Sequence, residues 1–215
     1  MKRVNVSLDS RSPATFEKVT RQGNLVRVLN GIDAALEAGL NVKINMVALK
    51  DVNDDEVVSM IEWAHSKKMD LTLIEVMPMG DTGEHRFDQF LPLSKVRSYL
   101  ESRWTLIDEK TRDKNGGPSS YSHVLETGGR IGFITPLTNN FCATCNRVRV
   151  TCTGRIYMCL GQDDHIDLRH VLRSGGDINH ALDQALLAKP EKHEFEISKS
   201  TVQASTDRHM STTGG

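Results

Sequence analysis

Between Val4 and Met77 the hydrophobic pattern switches repeatedly between a strand period and a helix period, and this limits the possible folds more than any other feature. Val4, Val6 and Leu8 alternate with Asn5, Ser7 and Asp9, the two-residue period of a strand. Leu25, Val28, Leu29, Ile32, Ala35 and Leu36 then recur at helical spacing, with Asn24 placed to cap the start and Gly39 just past the end. Residues 42–49 return to a strand. A second helix is predicted after Asn53, where Glu56 would complete a capping box and Val57, Met60, Ile61 and Ala64 share one face. Residues 71–77 read as a third strand. This order predicts an α/β fold whose parallel strands are joined by right-handed crossovers.

Strands buried in a parallel sheet usually run continuously apolar. Here the first strand presents Asn5, Ser7 and Asp9 on one face, and the second presents Lys43 and Asn45. Adjacent polar faces predict the lined interior of a barrel-like sheet around a polar ligand. A partly solvated edge would give the opening strand the same pattern. Three zones follow: residues 1–77, a connecting segment 78–138 with a helix near 93–103 and strands that include 130–135, and residues 139–215. The last zone has helices near 167–173 and 178–188, then a polar stretch, expected to be loosely held, that ends in Gly214 and Gly215.

The net charge of −1 and pI near 6.7 offer no broad basic field for nucleic acid or a membrane, so any anion must be held locally. No apolar run is long enough to span a bilayer and the first residues lack a secretory core, so the cytoplasm is the expected setting. All four cysteines lie between positions 142 and 159. Disulfide frameworks spread their cysteines to staple distant loops, so this clustering points to metal chemistry.

Cys142 and Cys145 are separated by the two-residue gap that lets two thiolates reach one centre. Residues 147–158 read as a hairpin with Thr153 and Gly154 at its turn, which would return Cys159 to the first pair. Spacing alone leaves iron–sulfur and zinc equally open. Zinc would need a fourth ligand, from Cys152 near the hairpin tip or from His165. Arg147 and Arg149 share a strand face and suit phosphate or carboxylate, although solvated strand arginines would look the same. The histidines form no HxxxH or HxH pair. Met60, Met69 and Met158 read as packing, and Asp163 and Asp164 as caps for the helix that follows.

The run Cys142-x2-Cys145-Asn146-Arg147-x-Arg149, with Gly154 and then Cys159-Leu160, resembles the C-terminal cluster motif of the GTP 3',8-cyclase family. These are radical S-adenosylmethionine enzymes that open molybdenum-cofactor biosynthesis. The likeness extends along the chain through Asn5-Val6-Ser7-Leu8-Asp9, Val42-Lys43-Ile44-Asn45, Ile74-Glu75-x-Met77 and the final Gly214-Gly215. It implies the C-terminal half of an incomplete αβ (TIM-like) barrel plus a cluster-binding subdomain at 139–215. It further implies that Cys142, Cys145 and Cys159 ligate a substrate-binding [4Fe-4S] cluster, which favours iron over zinc. Arg147, Val148, Arg149 and Lys43 would bind GTP, and Ser7 and Met77 S-adenosylmethionine. Arg147, Arg149, Gly214 and Gly215 would assist the radical step that yields 3',8-cyclo-7,8-dihydro-GTP.

The family's N-terminal CxxxCxxC motif, which ligates the radical-generating cluster, has no counterpart here. The resemblance therefore implies a C-terminal portion that is inactive alone and would need a separate N-terminal half. Cyclic pyranopterin monophosphate synthase would be the pathway partner, and a homodimer is compatible with the pattern. A non-catalytic GTP- or cluster-binding module and a zinc-stabilised structural protein are the alternative readings.

Overall fold

Among the described residues, six strands and four helices build the first of two compact units, Met1–Val76 with Asp88–Thr138. The computed structural model describes residues 1–77, 79, 88–109, 117–139, 145–191 and 208. The strands are β1 (Arg3–Ser7), β2 (Asn41–Ala48), β3 (Asp70–Glu75), β4 (Leu106–Asp108), β5 (Ser120–Val124) and β6 (Gly129–Ile134). They lie in the order β1-β2-β3-β6-β5-β4. The first four of that order run parallel, and β5 and β4 continue the sheet antiparallel. This is a mixed α/β fold with a parallel-strand sheet, consistent with part of a radical S-adenosylmethionine barrel.

Helices α1 (Pro13–Thr20), α2 (Leu25–Glu37), α3 (Val57–Ser66) and α4 (Leu93–Glu101) supply the other layer. Leu8, Ile32, Ile44, Met46, Met60, Ile61, Leu71, Leu73 and Ile131 are fully buried in one core. Each such side chain contributes about 1.5–3 kcal/mol relative to exposure. The predicted α2 forms, and the Asn24 side chain caps it through Arg27 N at 3.0 Å. Helix α1 is an addition to the predicted elements. Its start is local chemistry, with Ser12 as N-cap and Pro13 in the first turn, where a missing N–H costs nothing.

The capping box expected at Asn53 and Glu56 does not form. A 3-10 turn, Asp54–Glu56, precedes α3, and neither side chain caps it. Asn53 is instead wholly buried. Its amide donates to Asp9 O (2.7 Å) and Val47 O (2.9 Å) and accepts from Leu49 N (2.7 Å). Glu56 accepts from Ser10 Oγ (2.6 Å) and Arg11 N (3.0 Å). Asn53 ties the loop after β1 to the end of β2, and Glu56 holds the same loop, so both side chains are taken up by backbone and hydroxyl partners away from the helix end. Asn53→Ala orphans three backbone groups and is expected to lower stability by about 2–3 kcal/mol. A urea midpoint equal to wild type would count against this.

The second unit contains the antiparallel strands β7 (Arg149–Val150), β8 (Arg155–Tyr157) and β9 (His165–Asp167), with helices α5 (Leu168–Arg173) and α6 (Ile178–Leu187). Its described core is small: Ile156, Met158 and Ala185, with Val148, Ile166, Leu168 and Leu182 against it. The cap of α5 is Asp167, which accepts from His170 N at 2.8 Å, rather than Asp163 or Asp164.

Candidate functional site

In the first unit the pairing register turns isolated polar residues into rows. Ser7, Asn45, Thr72, Gly132 and Tyr121 stand abreast across β1, β2, β3, β6 and β5. Asn5, Lys43 and Asp70 form the next row. Residues two apart on a strand share a face, so both rows lie on the side opposite Ile44, Leu71 and Ile131. Lys43 Nζ donates to the Tyr121 hydroxyl at 3.2 Å, and the Arg130 guanidinium lies 4.3 Å from the centre of the same ring. Burial works to raise the Tyr121 pKa, but the charge and hydrogen bond of Lys43 bring it below its ordinary value. Asn45 Oδ1, Thr72 Oγ1 and Ser119 Oγ are buried with no hydrogen-bond partner among the described residues. A Cβ on Gly132 would come within 2.3 Å of Ser119 Oγ and 2.8 Å of Thr72 Oγ1. Unsatisfied buried polar atoms on a face this crowded suit a polar ligand. Ser7 itself is exposed, since β1 is an edge strand in this sheet.

In the second unit the expected hairpin forms. Arg149 pairs with Tyr157 and Val150 with Ile156. Gly154 closes the turn by donating its N–H to Thr151 O at 2.9 Å, and its φ of 81° is one that a side chain would resist. Cys145 precedes β7 and Cys159 follows β8, so both belong to the open end of the hairpin, while exposed Cys152 sits in the turn. Cys145 and Cys159 are half-buried free thiols. Cys142, Gly214 and Gly215 lie outside the described residues. Among the described residues no three His, Cys, Asp or Glu side chains gather as a metal site. Two soft thiol donors at one hairpin end suit a thiophilic metal, and the third ligand expected from the sequence, Cys142, is not among the described residues.

Three guanidiniums surround this end. Burial, then the charges of Arg147 and Arg208, push the Arg149 pKa below its ordinary value, while Cys145 opposes them. Val148 packs against the small core, and of the two arginines expected on one strand only Arg149 lies in β7, Arg147 preceding it as an exposed residue. The Arg208 guanidinium stacks 3.9 Å from the Tyr157 ring centre and donates to Leu160 O (2.6 Å) and Gln162 O (3.0 Å). Arg208 also pairs with Asp163 at 3.3 Å, which gives that carboxylate its use. Arg208 and Tyr121 carry no motif signal, and only folding shows their place. Ser7 and Lys43 thus fall in the first unit, and Met77, half-buried, falls in the second with the cysteines and arginines.

Residues 69–195 match the family Molybdenum Cofactor Synthesis C, more than half of the chain. The chain belongs to that family. Residues 1–64 match the Radical SAM superfamily, which implies iron–sulfur and S-adenosylmethionine chemistry in general terms. Three curated relatives of this Molybdenum Cofactor Synthesis C chain are each named GTP 3',8-cyclase. The protein from Brucella ovis is 55% identical over 218 residues, covering 100% of this chain and 63% of its own length. Those from Sinorhizobium medicae and Rhizobium meliloti are 54% and 55% identical, with 100% of this chain and 62% of theirs covered. The chain therefore spans somewhat less than two thirds of the length of these relatives. Among the described residues no helix is long and apolar enough to cross a membrane.

Proposed function

We propose that this chain carries the substrate-binding portion of a GTP 3',8-cyclase, which converts GTP to 3',8-cyclo-7,8-dihydro-GTP. The observation that carries the reading is the hairpin that brings Cys145 and Cys159 to one end, with Arg147 and Arg149 following Cys145 directly along the chain. Arg147 is exposed and Arg149 half-buried, and their forked donors suit the phosphates of a nucleotide. In this reading Cys142, Cys145 and Cys159 hold a [4Fe-4S] cluster. A cluster with three protein thiolates offers one iron to a substrate atom. Arg147 and Arg149 bind the phosphates, Val148 packs beside them, and Lys43 contacts the nucleotide from the polar sheet face. Ser7 and Met77 contact S-adenosylmethionine, and Gly214 and Gly215 complete the active site.

The same reading gives the chain a cytoplasmic setting, a complementary segment with a CxxxCxxC motif, and cyclic pyranopterin monophosphate synthase as the consumer of its product. A homodimer is compatible with it. The domain limits proposed with it are 1–77, 78–138 and 139–215. The decisive measurement is anaerobic GTP titration of the reconstituted chain. Reversing both charges in Arg147→Glu/Arg149→Glu is expected to weaken binding at least tenfold, since each charge-assisted contact contributes about 1.5–3 kcal/mol. Unchanged affinity would remove the phosphate assignment. Assayed alone with S-adenosylmethionine, the 215-residue chain is expected to form no 5'-deoxyadenosine, because all four of its cysteines lie between 142 and 159. Product formed without a partner would refute that expectation.

A further inference from the structure

Helix α6 ends at Leu187, and two residues later a lysine side chain turns back onto the cysteine hairpin. Lys189 Nζ donates to Met158 O at 2.8 Å and to Arg147 O at 3.1 Å, and lies 4.0 Å from Cys145 Sγ. An ammonium has three N–H bonds, and here they have three acceptors drawn from both arms of the hairpin. Met158 is the residue before Cys159, so one cation joins the backbone beside one thiol to the sulfur of another. The anchor for this reach is apolar: Ala185 of α6 is fully buried against Ile156 and Met158.

We infer that Lys189 is a positioning residue for the metal centre, clasping the Cys145 and Cys159 arms together and directing a positive charge at the Cys145 sulfur. The inference rests on the cluster assignment proposed above. Groups of this kind fix the orientation of a ligand and tune the metal through charge and hydrogen bonds to sulfur. A cation beside the ligand sulfur favours the reduced, more negative form of a cluster, so its loss lowers the reduction potential. Ordinary surface lysines donate to water and leave no such signature.

The full 215-residue chain and its Lys189→Gln, Lys189→Met and Lys189→Arg variants would be reconstituted anaerobically with iron and sulfide. Iron, acid-labile sulfide and cluster potential would be measured, with circular dichroism to confirm the fold. Lys189→Gln keeps a donor for the two carbonyls but removes the charge. It is expected either to load less cluster or, where loaded, to show a reduced-to-oxidised ratio about tenfold lower at the wild-type midpoint. That ratio corresponds to about 59 mV for a one-electron couple. Lys189→Met is expected to go further in the same direction, and Lys189→Arg to restore the wild-type potential. Equal loading and equal potential in wild type and Lys189→Gln would overturn the inference while leaving the cluster assignment intact. An arginine variant that behaves like the glutamine one overturns the role of the charge. A wild-type chain that takes up zinc and no sulfide removes the cluster reading itself, and the inference with it.

Discussion

Replacing either Cys145 or Cys159 with alanine is expected to reduce iron and acid-labile sulfide after anaerobic reconstitution to background, while Cys152→Ala leaves both at the wild-type level. The hairpin register dictates the contrast. With Arg149 opposite Tyr157 and Val150 opposite Ile156, the residues before β7 and after β8 leave by the same end, and the turn carries Cys152 to the other. In the proposed cluster, removing one of three thiolates would leave a second iron without a protein ligand, and among the described residues no three His, Cys, Asp or Glu side chains gather to replace it. The second unit should also melt at lower temperature in these two variants. Its described core is small, and in small metal domains the free energy of binding the metal is largely free energy of folding. Iron and sulfide lost from Cys152→Ala as fully as from Cys145→Ala would show that the ligand set is different.

Glu75→Ala is expected to have the largest effect on the stability of the first unit. Glu75 ends β3 with a fully buried carboxylate. One oxygen accepts from Leu93 N at 3.1 Å and from the Thr138 hydroxyl; the other accepts from Leu137 N (3.1 Å) and Thr138 N (3.2 Å). Alanine leaves three backbone N–H groups without this acceptor, in addition to a cavity. Each orphaned group costs about 1–3 kcal/mol, so the sum is on the order of 3–9 kcal/mol. Domains of this kind have only about 5–15 kcal/mol in total. Urea unfolding should therefore show most of the cooperative transition lost or moved to much lower denaturant. Glu75→Gln keeps one acceptor oxygen and should cost about half as much. A midpoint for Glu75→Ala within error of wild type would mean that these bonds are not what joins β3 to α4 and to the end of the unit.

The elements that could be read from the sequence were those with a local cause. The alternation at Val4, Val6 and Leu8 and the helical spacing from Leu25 to Leu36 survive because one face of each packs against the core, its side chains half-buried around Leu8 and Ile32. The hairpin around Thr153 and Gly154 follows from turn chemistry over a few residues. Helix α1 was equally local, since Ser12 and Pro13 are a start signal, but it has a single buried side chain, Phe16, and so little periodicity to notice. Asn53 and Glu56 misled for the opposite reason. Their spacing is that of a capping box, but the part-buried backbone carbonyls of Asp9 and Val47 compete for the side chain of Asn53, which is itself wholly buried.

Sequence alone thus determined the residue types on which the proposal rests: the thiols at 142, 145 and 159, the arginines at 147 and 149, and, in the other unit, a polar strand face that includes Lys43. It did so because ligand chemistry and hydrophobic period are properties of neighbours along the chain. Tertiary structure decided which groups those residues meet. Tyr121 reaches Lys43 across a separation of 78 residues, and Lys189 reaches Cys145 across 44. Neither pairing has a local signal. The first depends on the register of β2, β3, β6 and β5, and the second on how α6 buries Ala185 against the hairpin. What changed most is therefore the surroundings of the cysteines. The chain supplies thiols by its order of residues and places a cation beside one of them by packing.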